Sequence, residues 1–181
     1  MMDFFDVGLG AFSAEELDRL ERYCDGLPLA QGALGHGQAV AAIRVAQIAG
    51  IYQTPESQWF FDRLGPIVRT FNDRSYRFDL RGLFEPPQFL VYREAEGGHY
   101  DWHMDIGRVQ PRKLSLTIQL TDPARYEGCE LQFNRGTEIV SAPRDRGAAI
   151  AFPSFLLHRV TPIKSGVRKA IVVWITGPEF K

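Results

Sequence analysis

Apolar positions in the first part of the chain recur at helical spacing, whereas beyond about residue 76 they run in stretches of four to nine bounded by Gly, Pro and Asp. Ser13-Ala14-Glu15-Glu16 is a capping box, with Glu16 three residues after the cap, and Leu17, Leu20 and Tyr23 follow on one face. The spacing predicts a helix over about 13–25. Thr54-Pro55-Glu56-Ser57 is a second start, with Pro55 suited to the first helical position, and Trp59, Phe60, Leu64, Ile67, Val68 and Phe71 form a broad apolar stripe. A helix with that stripe covers one face of a sheet. Strands are predicted over 88–93, 113–121, 130–133, 137–141, 148–152 and 168–176. Many short strands without helices between them argue against a parallel α/β sheet and for a sandwich, barrel or jelly roll supported by the N-terminal helices.

Composition narrows the class. The chain has 181 residues, 45% of them apolar, which suits one domain over 1–181, with helical support over about 1–75 and a β core over about 76–177. Lys plus Arg number 21 against 22 Asp plus Glu, so no global basic field points to nucleic acid. The stretch 69–78 mixes Arg69, Arg74 and Arg77 with Phe71, Tyr76 and Phe78, but Asp73 interrupts its charge, and helix-end arginines flanking buried aromatics explain it. No apolar run approaches the ~20 residues of a membrane-spanning helix. The start, Met1-Met2-Asp3-Phe4-Phe5-Asp6, is acidic and lacks a secretory signal's cationic region, so a cytoplasmic protein is expected. Cys24 and Cys129 are far apart with no Cys-x-x-Cys pair, and two free thiols are expected.

Candidate chemistry centres on His103-Met104-Asp105, because residues separated by one position on an extended chain project to the same side. His103 follows the Gly97-Gly98 break and the strand-like Tyr100-Asp101-Trp102, and Gly107 opens a turn after Asp105. His158 follows the run 148–154 and lies near the start of another strand. If these strands are neighbours, two imidazoles and one carboxylate occupy one face of a metal and leave up to three positions open. That donor set marks non-haem Fe(II) oxygenases, although zinc could also occupy it. Arg168 begins an apolar strand on which Arg168, Ala170, Val172 and Trp174 share a face. Alone it reads as an exposed strand-end charge. Beside the His-Asp-His set it reads as a guanidinium fork for the distal carboxylate of a 2-oxoglutarate co-substrate.

These stretches resemble the 2-oxoglutarate- and Fe(II)-dependent dioxygenases, in the prolyl-4-hydroxylase-like and PKHD-type branch. The resemblance lies in Phe89-Leu90-Val91-Tyr92, Gly97 to Asp105, Lys113 to Leu120, Tyr126-Glu127-Gly128-Cys129-Glu130-Leu131, Phe152 to Pro162 and Gly166-Val167-Arg168. It implies a double-stranded β-helix, the jelly-roll barrel also seen in cupins, with His103, Asp105 and His158 as iron ligands and Arg168 as the clamp for 2-oxoglutarate. It implies too that Tyr92 reaches the co-substrate and that Tyr100 and Trp174 line its pocket. Gln119 stands where relatives often carry an aromatic residue near the co-substrate.

The implied activity is hydroxylation of an unactivated C–H bond with O2, releasing succinate and CO2, with ascorbate as accessory reductant. A prolyl or other peptidyl residue is the implied substrate, and a free amino acid or natural-product intermediate is the alternative. A cupin-like metal enzyme without 2-oxoglutarate and a non-catalytic binding module are the further alternatives. Neither nucleic acid nor membrane is expected as a partner.

Two features depart from the family pattern. Cys129 replaces a usual second Gly before Glu-Leu, which alters a hairpin and leaves the metal site alone. The sequence stops at Lys181, short of the helical C-terminal extension common in PKHD-type proteins, so substrate selection is expected from loops at the barrel mouth. His99 and His36 are read as loop residues, and 106–112 as a lid, a substrate-gripping loop or an ordinary strand connection.

Overall fold

The computed structural model describes residues 4–32, 43–107 and 109–180. In chain order its elements are β1 (Asp6–Gly8), α1 (Ala14–Asp25), β2 (Ala30–Gln31), β3 (Arg44–Val45), β4 (Gln47–Gly50), α2 (Gln58–Phe71), β5 (Gln88–Arg93), β6 (His99–His103), β7 (Arg112–Gln119), β8 (Tyr126–Gly128), β9 (Leu131–Asn134), β10 (Ile139–Ser141), β11 (Ala149–Pro153), β12 (His158–Val160) and β13 (Ile163–Thr176). The major sheet runs β1-β11-β7-β13-β5-β4-β2, with β8 alongside β13, and the minor sheet runs β10-β9-β12-β6-β3. The ladders are antiparallel, and two facing antiparallel sheets with N-terminal helices are the expected mainly-β jelly roll.

Continuous apolar runs make sense once both faces of the major sheet are seen to be covered. Phe89, Val91, Ile171, Val173 and Ile175 point to one side, where Leu17, Leu20, Phe60, Leu64 and Phe71 of the helices meet them. Leu90, Tyr92 and Val172 point between the sheets, toward Leu131, Phe133, Ile150 and Phe152. Strands buried on two faces lose the apolar-polar alternation of a half-exposed sheet.

Helix α1 starts as expected: Ser13 Oγ accepts from Glu16 N at 3.1 Å, and Ser13 N donates to Glu16 Oε2 at 2.8 Å. Helix α2 starts later than the Thr54-Pro55 signal suggests. Thr54 and Ser57 close a turn of their own, with Thr54 O accepting from Gln58 N at 2.8 Å and Ser57 Oγ donating to Tyr52 O at 2.6 Å. The capping groups are spent on that turn, and the helix begins at Gln58.

The first 75 residues do more than support the barrel. β1 extends the major sheet at β11, β4 and β2 extend it at β5, and β3 extends the minor sheet at β6. Strands of two to four residues are too short to show a period of two. β13 begins at Ile163, five residues before the expected start, and its first part pairs with β8 through an irregularity between Ile163 and Ser165. Arg168 is therefore inside a strand and 2% exposed, not an exposed strand-end charge.

Phe71 and Tyr76 of the Arg-aromatic stretch are buried in the core, and Arg74 pairs with Asp6 at 2.6 Å. Both cysteines are buried free thiols. Cys129 has φ of 51°, a left-handed conformation that a glycine takes without strain, so the sequence departure costs local backbone energy in the link from β8, which pairs with β13, to β9 of the minor sheet. No helix among the described residues is long and apolar enough to cross a membrane.

Candidate active site

His103 is the last residue of β6 and His158 the first of β12, and the two are directly paired across the minor sheet. Their ring centroids lie 4.1 Å apart. Asp105 sits just beyond β6, where its N–H donates to Ser154 O at 2.8 Å and turns the carboxylate under the two rings. The distances are 3.8 Å from His103 Nε2 to Asp105 Oδ1 and 3.5 Å from His158 Nε2 to Asp105 Oδ2. One ligand atom from each of the three lies within 4.8 Å of the others, and among the described residues no other cluster of His, Cys, Asp and Glu offers this.

Neighbouring groups fix how these donors point. Nδ1 of His103 meets Asp101 O at 2.7 Å and Nδ1 of His158 meets Leu156 O at 2.8 Å, so each Nδ1–H donates to a carbonyl and leaves the Nε2 lone pair facing inward. Ser115 Oγ donates to Asp105 Oδ2 at 2.8 Å and lies 3.0 Å from Ser154 Oγ. The indole N–H of Trp174 also faces this carboxylate and favours its charge without closing a regular hydrogen bond. Burial pushes the Asp105 carboxyl up, but His158 and His103, with Trp174 and Ser115, outweigh it and hold the group below its ordinary value. Burial, reinforced by His158, lowers the His103 pKa to about 4, so the ring is neutral at physiological pH. Two imidazoles and one carboxylate on one side of a point, with space opposite, fit a divalent iron held by a facial triad.

The donors open into a narrow cavity. Arg168, Ala170, Val172 and Trp174 all line it, the face predicted from a period of two, and so do Tyr92 and Tyr100. Tyr100 stacks on the His103 ring at 3.5 Å, and the Arg112 guanidinium covers Trp174 at 3.8 Å. Burial raises the Tyr92 phenol to about 12, so it keeps its proton and can donate. Burial opposes the charge of Arg168, but Cys129, Tyr92 and Tyr126 more than compensate and leave its pKa above the ordinary value.

Gln119, expected near the co-substrate, contacts Arg168. It does not line the cavity but sits behind Arg168, its Oε1 accepting from Arg168 Nη2 at 2.8 Å and Nε at 3.2 Å. Its own Nε2 donates to Pro143 O at 3.3 Å. His99 stays outside the cluster, with Nδ1 2.8 Å from Gly97 O, and His36 lies outside the described residues. Ile106 and Val109 in the loop after Asp105 are exposed.

Sequence reasoning missed Arg44, Ser115 and Ser154. The serines leave a faint signal, small polar residues inside apolar strands, whereas Arg44 in a two-residue strand leaves none.

An antiparallel jelly roll carrying an open His-Asp-His face beside a buried arginine defines a class, the non-haem iron oxygenases. Residues 87–176 match the family model of the 2OG-Fe(II) oxygenase superfamily. A PKHD-type hydroxylase of Pseudomonas putida (strain W619) is 30% identical over 178 residues, covering 91% of this chain and 75% of that protein. One from Teredinibacter turnerae is 38% identical over 97 residues, which span 50% of this chain but only 42% of the relative. Among solved structures, a prolyl hydroxylase from Trichoplax adhaerens, in complex with a hypoxia inducible factor peptide fragment, superposes with a TM-score of 0.80 at 18% identity, covering 96% of this chain and 84% of that one. A Pseudomonas putida prolyl-4-hydroxylase gives 0.76 at 18% identity, covering 97% and 94%. The chain belongs to the 2OG-Fe(II) oxygenase superfamily, in its PKHD-type hydroxylase branch.

Proposed function

We propose that this protein hydroxylates an unactivated C–H bond of a prolyl or other peptidyl residue, using Fe(II), 2-oxoglutarate and O2, with ascorbate as accessory reductant. The observation that carries the reading is the convergence of His103 Nε2, His158 Nε2 and the Asp105 carboxylate in the cavity that also holds the buried Arg168 fork. In support, the Trichoplax adhaerens neighbour is a prolyl hydroxylase bound to a peptide fragment.

His103, Asp105 and His158 would hold the iron, which with 2-oxoglutarate supplies O2-dependent oxidative decarboxylation to succinate and CO2 coupled to oxygen insertion. Asp101 O and Leu156 O keep both imidazoles in the ligating tautomer. Ser115 holds the carboxylate of Asp105 in place. Arg168, aimed by Gln119, would hold the distal carboxylate of the co-substrate. The Tyr92 phenol, protonated and in the same cavity, would donate a further hydrogen bond there, and Tyr100 and Trp174 wall the pocket. The chain's contribution is thus geometry and shielding, with the oxidant supplied by the cofactors.

The test is succinate release from 2-oxoglutarate across peptides and free amino acids. Stimulation by a prolyl or other peptide, with hydroxylated product recovered in equal amount, supports the reading. Stimulation only by free small molecules moves the substrate assignment to that class.

A further inference from the structure

The cavity holds a second guanidinium besides Arg168. Arg44 comes from β3 at the edge of the minor sheet, where it pairs with Tyr100, and it lines the same cavity as the three ligands. Its guanidinium carbon lies 4.7 Å from the Tyr100 ring centroid. The parallel His103 ring at 3.5 Å fills one face of Tyr100, which leaves the other face to Arg44.

Arg44 is 7% exposed and, among the described residues, its side chain has no hydrogen-bonding or carboxylate partner; its buried Nε lacks an acceptor. Arg168, the other deeply buried arginine, is capped by Gln119. A guanidinium cannot shed its proton, and a cation–π contact recovers only part of what desolvation costs. Charge arithmetic gives the same answer. In the loaded site the two charges of iron cancel those of the 2-oxoglutarate dianion, Asp105 offsets one guanidinium, and one positive charge remains.

We propose that Arg44 binds a carboxylate of the primary substrate, so that the enzyme acts on a C–H bond in a molecule bearing an anionic group near the reacting carbon. The proposal rests on the hydroxylase reading of this same site. The carboxylate could be the α-carboxylate of an amino acid or an acidic side chain beside the reacting residue of a peptide, and the test separates them.

The protein loaded with Mn(II) and 2-oxoglutarate, which binds without turning over, is titrated calorimetrically with N-acetyl amino acids and their primary amides, and with N-acetyl dipeptide amides ending in Asp or Asn. A charge-assisted pair predicts that the acidic member of the best-binding pair binds about ten- to a hundredfold more tightly than its neutral isostere. Arg44→Gln should bring the pair within about twofold, Arg44→Lys should keep part of the preference, and both should leave 2-oxoglutarate affinity within about twofold. Equal binding of acids and amides by the wild type overturns the proposal. So does a preference that survives Arg44→Gln, or a variant that weakens both members equally, as a purely structural role would. Loss of 2-oxoglutarate affinity in Arg44→Gln would instead assign Arg44 to the co-substrate. If the wild type gave no heat with 2-oxoglutarate, the hydroxylase reading would fail and this proposal with it.

Discussion

His103 and His158 are direct partners across β6 and β12, so one backbone ladder sets the spacing of the two imidazoles before any metal arrives. Their Nδ1–H groups are held by carbonyls of their own strands' approach, Asp101 and Leu156, each two residues upstream. The site is organised by the sheet register, and a one-residue slip would turn both rings away.

Removal of the hydrogen bond from Ser115 to Asp105 isolates the support of the triad. Ser115→Ala should weaken divalent-metal affinity by about ten- to a hundredfold while leaving the metal-free protein folded. Calorimetric titration with Mn(II) reads this directly.

Gln119 offers a separate handle on the co-substrate. Gln119→Ala frees Arg168 from its acceptor and should raise the KM for 2-oxoglutarate about tenfold with little change in kcat. Gln119→Glu should be worse, because a buried carboxylate pairs with the guanidinium and competes with the ligand. A Gln119→Glu enzyme with wild-type KM would show that Arg168 does not meet 2-oxoglutarate.

Much of this site was legible in the sequence because strand periodicity is short-ranged. Arg168, Ala170, Val172 and Trp174 could be placed on one face from a period of two, and His103 and Asp105 from their separation by one. The pairing of His103 with His158 could not, since register is a property of two strands and these partners are 55 residues apart. Short edge strands hid β3 and with it Arg44. Gln119 is expected near the co-substrate only from the resemblance, and its hydrogen bonds to Arg168 were not legible, because a single strand shows which face a residue takes and not which neighbour on another strand it meets. The late start of α2 turned on competition between a turn and a cap, which the motif alone does not resolve.

Core packing makes a stability prediction independent of function. Leu116 is fully buried between the helices and the major sheet, and Leu116→Ala should cost about 2–5 kcal/mol. Chemical denaturation measures it.

Alkaline pH should destabilise the fold. Burial, with Asp25 and Glu21 nearby, raises the Cys24 thiol to about 12, and burial raises Tyr92 likewise. Both groups favour their neutral forms when folded, so their contribution is intact below the unfolded pKa values and is lost as pH rises from about 9 toward 12. At pH 10.5 the loss should be on the order of 2 kcal/mol relative to pH 8, measured by guanidinium titration. Native Cys24 should also resist alkylation at pH 8 and react only after unfolding.

Anaerobic absorption spectroscopy shows whether His103, Asp105 and His158 present iron to a 2-oxoglutarate held by Arg168. Addition of Fe(II) and 2-oxoglutarate to the wild-type protein should produce a weak visible charge-transfer band. Arg168→Ala should require a much higher 2-oxoglutarate concentration to develop it, and folded Asp105→Ala should not develop it. Absence of the band from the wild type at saturating Fe(II) and 2-oxoglutarate, or its persistence at full strength in Asp105→Ala, would contradict the assignment.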